Sequence, residues 1–197
     1  MLKKTTFYLV RHGQTLFNQR KWIQGWTDSP LTEQGIQTAK RLYQPLQNIP
    51  FIVCVSSTSE RAVDTAYCMV SDRMEVRTYK GLKEINFGRI EAMPIATAFE
   101  GKDHRLGYTE WGGERKIDAV KRYLDTLEQI ACQYGPGEIL VSSHGTIIRE
   151  LIAHIDPNFD AYVKPLAELV PNCSITKIGY ENGRWTVEGY PDTSYLE

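Results

Sequence analysis

Two arginines, two histidines and one glutamate occupy positions from which they can handle a single small anion: Arg11 and His12, Arg61, Glu84 and His144. Each arrives close behind a short apolar run or at the helix start that follows one. Histidine can serve as a covalent nucleophile toward phosphorus, provided its second ring nitrogen is hydrogen-bonded to fix tautomer and orientation. Arginine offers planar, multi-donor contacts to phosphoryl oxygens and stays charged at any relevant pH. A glutamate can supply the proton that a leaving alcohol needs, which requires a pKa above the ordinary value of about 4.3. Charge in phosphoryl transfer spreads over equatorial oxygens, so such a site works by positioning and electrostatics.

Taken singly, each residue also has a plain structural reading. Phe7–Val10 reads as a buried strand, and Arg11-His12 ahead of Gly13 fits a solvated strand end and turn as well as it fits an active site. Arg61 falls in the first turn of a helix, where the macrodipole favours an acid, so it is either a surface arginine or a local rule broken for function. Convergence of the five on one crest of a sheet is what separates the readings.

The elements that must position them follow from periodicity. Residues 7–10, 51–55, 75–79 and 139–142 read as strands. Helical spacing occurs from Thr32, an N-cap, to about Leu46, with Pro45 ending or kinking that helix. It recurs over residues 60–69, 114–134 and 146–151. Asn182-Gly183 between residues 174–180 and 184–188 predicts a type I′ hairpin. The alternation implies an α/β fold: a three-layer αβα sandwich with a largely parallel mixed sheet and an antiparallel edge. Ligands of such sheets bind at the carboxyl ends of strands. Residues 20–30, with Trp22 and Trp26, read as a functional loop; the tryptophans are core anchors or pocket walls, the core being the commoner use.

A chain of 197 residues fits a single domain, here 1–197, with 85–113 as an excursion or cap over the site. A formal net charge of -1 argues against a general nucleic-acid or membrane-surface role, so any anion site is local. Cys54, Cys68, Cys132 and Cys173 form no C-x-x-C pair and read as reduced core residues of a cytoplasmic protein. No apolar run is long enough for a membrane span. His154 reads as a helix-end residue, and His104 lies in the aperiodic excursion.

LVRHGQT (residues 9–15) with Asn18, QGWTDSPLTEQG (24–35), SSTSERAVDTA (56–66), LKEINFG (82–88) and SSHGTIIREL (142–151) together resemble the histidine phosphatase superfamily in its phosphoglycerate-mutase-like branch. The resemblance implies that His12 carries the phosphoryl group, that Arg11, Arg61 and His144 line the phosphate pocket, and that Glu84 is the proton donor. It further implies that Asn18, Gln24 and Gly25 contact the phosphoryl group or the rest of the substrate, with Gly145 and Thr146 offering backbone N–H groups. No metal and no cofactor are implied; the expected partner is a small phosphomonoester.

Mutases of this branch carry an adjacent Arg-Arg pair after the glutamate. Residues 89–113 contain only the isolated Arg89 and Arg105. Gln24-Gly25 and Gly112-Gly113-Glu114 are similar to the small phosphatases. Hydrolysis through a phosphohistidine is therefore expected, with a phosphoglycerate mutase as runner-up and a non-catalytic phosphate-binding module behind both. Where many relatives read Gly-x-Trp-Glu-Gly, this chain reads Gly88-Arg89-Ile90-Glu91-Ala92.

Overall fold

Apolar runs punctuated by turn residues build a six-stranded sheet. A computed structural model describes residues 4–99, 101 and 105–196; His104 lies outside them. The strands are β1 (Thr5–Arg11), β2 (Phe51–Ser57), β3 (Val76–Tyr79), β4 (Gly137–Ser143), β5 (Ile175–Glu181) and β6 (Arg184–Asp192), in the order β3-β2-β4-β1-β5-β6. β1 to β4 run parallel, β5 pairs antiparallel with β1, and β6 pairs antiparallel with β5. Pairing aligns Arg11 with Ser143 and Ser56 with Ser142, so β1, β4 and β2 end side by side. That shared crest carries the site.

The period of two along each strand sorts the core into halves. Phe7, Leu9, Val55, Ile139 and Val141 pack with α6 (Lys116–Tyr134) and α7 (Gly145–Ile155) on one face. Val10, Cys54 and Leu140 pack on the other with α2 (Glu33–Arg41), α3 (Tyr43–Leu46) and α4 (Glu60–Val70). The expected three-layer sandwich results. Short helices α1 (Leu16–Arg20), α5 (Ile95–Ala98) and α8 (Leu166–Leu169) decorate the connections. No helix among the described residues is long and apolar enough to cross a membrane.

Local chemistry sets the boundaries. Thr32 caps α2 by accepting from Gly35 N at 2.9 Å. Pro45 cannot donate to the Arg41 carbonyl, and the helix breaks at Leu42, one turn earlier than the proline itself. Asn182 and Gly183 take φ 51° and 77°, as a type I′ turn requires, and β6 continues to Asp192, beyond the expected 188. Two expectations fail. Trp22 and Trp26 are half-buried rather than core, and Cys132 is exposed while Cys54 and Cys173 are buried; all four thiols are free. Cys132 sits in the last turn of α6, on a helix face that turns away from the sheet.

Candidate active site

The nucleophile candidate is held by its backbone before its ring is considered. His12 N donates to Ser143 O at 2.9 Å, Gly13 N to Thr65 Oγ1 at 3.0 Å, and Asn172 Nδ2 to His12 O at 2.9 Å. The imidazole Nδ1–H donates to Gly13 O at 2.8 Å. Nε2 is then a lone-pair acceptor, and it receives Arg61 Nε–H at 3.1 Å. Burial, with Arg61 and Arg11 close by, pushes the His12 pKa well below its ordinary value of 6.5. The ring is neutral at neutral pH.

Arg61 is fully buried near the start of α4, and the local rule it breaks has a tertiary reason. All five of its N–H donors are used. Besides Nε to His12, Nη1 reaches Thr27 O at 3.3 Å and Asp28 Oδ1 at 2.8 Å. Nη2 reaches Gly25 O at 2.8 Å and His144 Nδ1 at 3.0 Å. His144 therefore accepts at Nδ1 and donates Nε2–H to Ser57 Oγ at 2.7 Å. Its pKa also lies well below 6.5, through burial and then Arg61. The two imidazoles meet edge to face, with centroids 5.4 Å apart.

Arg11 stands on the opposite flank. Its Nη1 donates to Val170 O at 2.6 Å, and a Cβ on Gly145 would come within 2.9 Å of its Nε, so only glycine leaves that room. Arg11 Nε is a buried donor without a partner among the described residues. Burial lowers the Arg11 pKa to about 10, and the group stays cationic at neutral pH.

Glu84 follows β3 and a single 3₁₀ turn, and its carboxyl sits at the N-terminus of α7. It accepts from Ile85 N at 2.9 Å, Thr146 N at 2.8 Å and Ile147 N at 2.8 Å. Burial raises its pKa above 4.5 and outweighs the opposing pull of those N–H groups and of Arg61.

The five residues thus come together on one crest, while the expected peripheral contacts are partly reassigned. Thr146 N–H serves Glu84 instead of facing an anion. Asn18 Oδ1 completes the α1 capping box with Thr15 and accepts from Asn172, one hydrogen bond away from His12. Both ends of the Gln24 amide are engaged, Oε1 by Thr15 Oγ1 at 2.7 Å and Nε2 by Ser29 Oγ at 2.9 Å. Gly25 contributes its carbonyl to Arg61; a Cβ there would lie 2.4 Å from Glu91 Oε1. Arg89 is exposed and donates to Glu110 O at 2.8 Å. His154 is exposed in the last turn of α7.

Asp28, Ser57 and Asn172 were not singled out by sequence. Asp28 had a signal, since a buried arginine needs a carboxylate and residues 20–30 offer one. Ser57 ends the strand beside the one leading to His144. Asn172 lies in an aperiodic segment with no such cue.

The sequence profile described as "Histidine phosphatase superfamily (branch 1)" matches residues 7–193. The chain belongs to the histidine phosphatase superfamily. Within this superfamily the chain is 29% identical over 192 residues to "Probable phosphoglycerate mutase GpmB" of Proteus mirabilis, covering 93% of this chain and 88% of that one. Among solved structures, Bacillus stearothermophilus YhfR superposes with a TM-score of 0.87 at 29% identity, over 98% of this chain and 100% of its own. A candidate alpha-ribazole-5'-P phosphatase from Escherichia coli gives 0.76 at 25%, over 95% and 96%. Phosphatases and mutase-like proteins of the histidine phosphatase superfamily therefore share this architecture.

Proposed function

We propose that this protein is a metal-independent phosphomonoester hydrolase that works through a phosphohistidine at His12 on a small phosphorylated metabolite. The observation that carries this reading is Arg61: two of its donors point at His12 Nε2 and His144 Nδ1, marking places where phosphoryl oxygens can take over as acceptors. Arg11 Nε supplies a further buried donor. His12 Nε2 attacks phosphorus as the ester P–O bond breaks, and Glu84, protonated, gives its proton to the departing oxygen. Glu84, now a carboxylate, takes a proton from the water that displaces His12 from phosphorus, and phosphate leaves. Burial raises the Glu84 pKa and lowers that of His12, which moves both groups toward the protonation states this sequence of steps needs.

The runner-up is transfer to a second substrate hydroxyl, and the names of the GpmB relatives favour it. Against it stand the missing Arg-Arg pair in residues 89–113 and the engagement of Arg89 with Glu110 O. The discriminating experiment is a panel of phosphomonoesters assayed for free phosphate without added metal, beside a phosphoglycerate isomerisation assay. Release of phosphate with little isomerisation is expected. Fast isomerisation with negligible hydrolysis would establish the mutase.

A further inference from the structure

We infer that Glu91 is a positioning residue for phosphoryl transfer: it clamps the backbone of the 25–28 loop and, through that loop, aims Arg61 at His12. The inference rests on the reading of this crest as a phosphoryl-transfer site.

Glu91 Oε1 accepts from Trp26 N at 2.9 Å and Phe87 N at 3.0 Å, and Oε2 accepts from Thr27 N at 2.5 Å. Among the described residues it pairs with no lysine or arginine. A half-buried carboxylate whose partners are three backbone N–H groups fixes backbone, because each charge-assisted bond is lost if the loop shifts. The loop it fixes supplies three of the five acceptors of Arg61: Gly25 O, Thr27 O and Asp28 Oδ1. The other two are His12 and His144, so the loop's two carbonyls and the Asp28 carboxylate decide where the guanidinium points.

Two further observations bind Glu91 to this task. The chain around it docks on the same loop, with Ala92 N donating to Ile23 O and Ile23 N to Met93 O, both at 2.9 Å. Ala92 holds φ 63°, a conformation costly for any residue with a Cβ, and it follows directly after Glu91. The clamp also spans to the acid side of the site: Phe87 N is on Glu91, and Trp26 Nε1 donates to Glu84 O at 2.9 Å. One carboxylate therefore joins the segment bearing the arginine's anchors to the segment bearing the acid.

The test is made on the full chain with Glu91→Gln and Glu91→Ala, alone and combined with Arg61→Ala, using an aryl phosphate across pH. Loosening Arg61 is expected to lower kcat/KM about tenfold for the glutamine variant and more for the alanine variant. It also removes a cation from beside His12, whose pKa then rises, so the acidic limb of the pH profile moves to higher pH. Arg11 and His144 also face His12, and neither is altered. In the Arg61→Ala background the Glu91 substitutions should change kcat/KM less than about twofold. A purely structural role would lower melting temperature while leaving the acidic limb in place and the losses additive, and that result overturns the inference. Should Glu91→Ala not fold, the isosteric Glu91→Gln, which retains one acceptor oxygen, carries the test. Unaltered kinetics in Glu91→Gln, with activity abolished in His12→Ala, overturn this inference alone; wild-type activity in His12→Ala overturns the reading beneath it as well.

Discussion

Arg61 donates its Nε–H to the Nε2 lone pair of His12 at 3.1 Å, so the clamp and the nucleophile share one hydrogen bond before any substrate arrives. Lysine cannot reproduce this. It offers one charged nitrogen in place of a five-donor fork spanning His12, His144 and the 25–28 loop. Arg61→Lys is expected to lower kcat/KM by about a thousandfold, roughly the value of one well-placed transition-state donor. A loss under about tenfold in steady-state assays would mean that the fork is dispensable.

The acid role of Glu84 makes a leaving-group prediction. Glu84→Gln should slow alkyl phosphates by about a hundredfold or more and an activated aryl phosphate much less, because only the former needs the proton. Equal losses on both substrates would assign Glu84 to structure at the start of α7.

The pH profile follows from two shifts with opposite signs. His12 must be neutral, and its pKa is lowered, so the acidic limb of kcat/KM should fall below pH 6.5. Glu84 must be protonated, and its pKa is raised, so the basic limb should lie above 4.5 and disappear in Glu84→Gln. A basic limb that persists in that variant would belong to another group.

Asp28 is the carboxylate partner of fully buried Arg61 at 2.8 Å, with its own side chain 26% exposed. Asp28→Asn keeps an acceptor oxygen but removes the charge. Chemical denaturation should show a loss of about 1–3 kcal/mol, below the cost of breaking a fully buried pair because solvent partly screens this one. Unchanged stability would indicate that the loop carbonyls suffice.

Ala92 occupies the left-handed region, where a Cβ costs roughly 1–2 kcal/mol and glycine's extra unfolded-state entropy returns about 0.4–1 kcal/mol. Ala92→Gly should therefore raise the melting temperature by a few degrees. A lower melting temperature would locate a compensating contact at the methyl group.

The sheet, its main helices and the five central residues are legible in the sequence because each of these signals is local: a polar residue directly behind an apolar run, or a cap before a periodic stretch. Long-range contacts are not. Asn172 reaches His12 across 160 positions, and Glu91 reaches Trp26 across 65, both through bonds between a side chain and the backbone that no periodicity records. The helix start at Thr146 was legible as an anion site, but the group its N–H holds is the chain's own Glu84 carboxyl. Pro45 announced a break without announcing that it would fall at Leu42, because the lost bond belongs to the residue four positions back.

The central claim is a covalent phosphoryl group on His12. Rapid quench of the protein during turnover, followed by peptide mapping, should find acid-labile, base-stable phosphate on His12, absent from His12→Ala together with the activity. Turnover at the wild-type rate in His12→Ala, or phosphate transferred to water with no phosphohistidine formed at any time point, would contradict it.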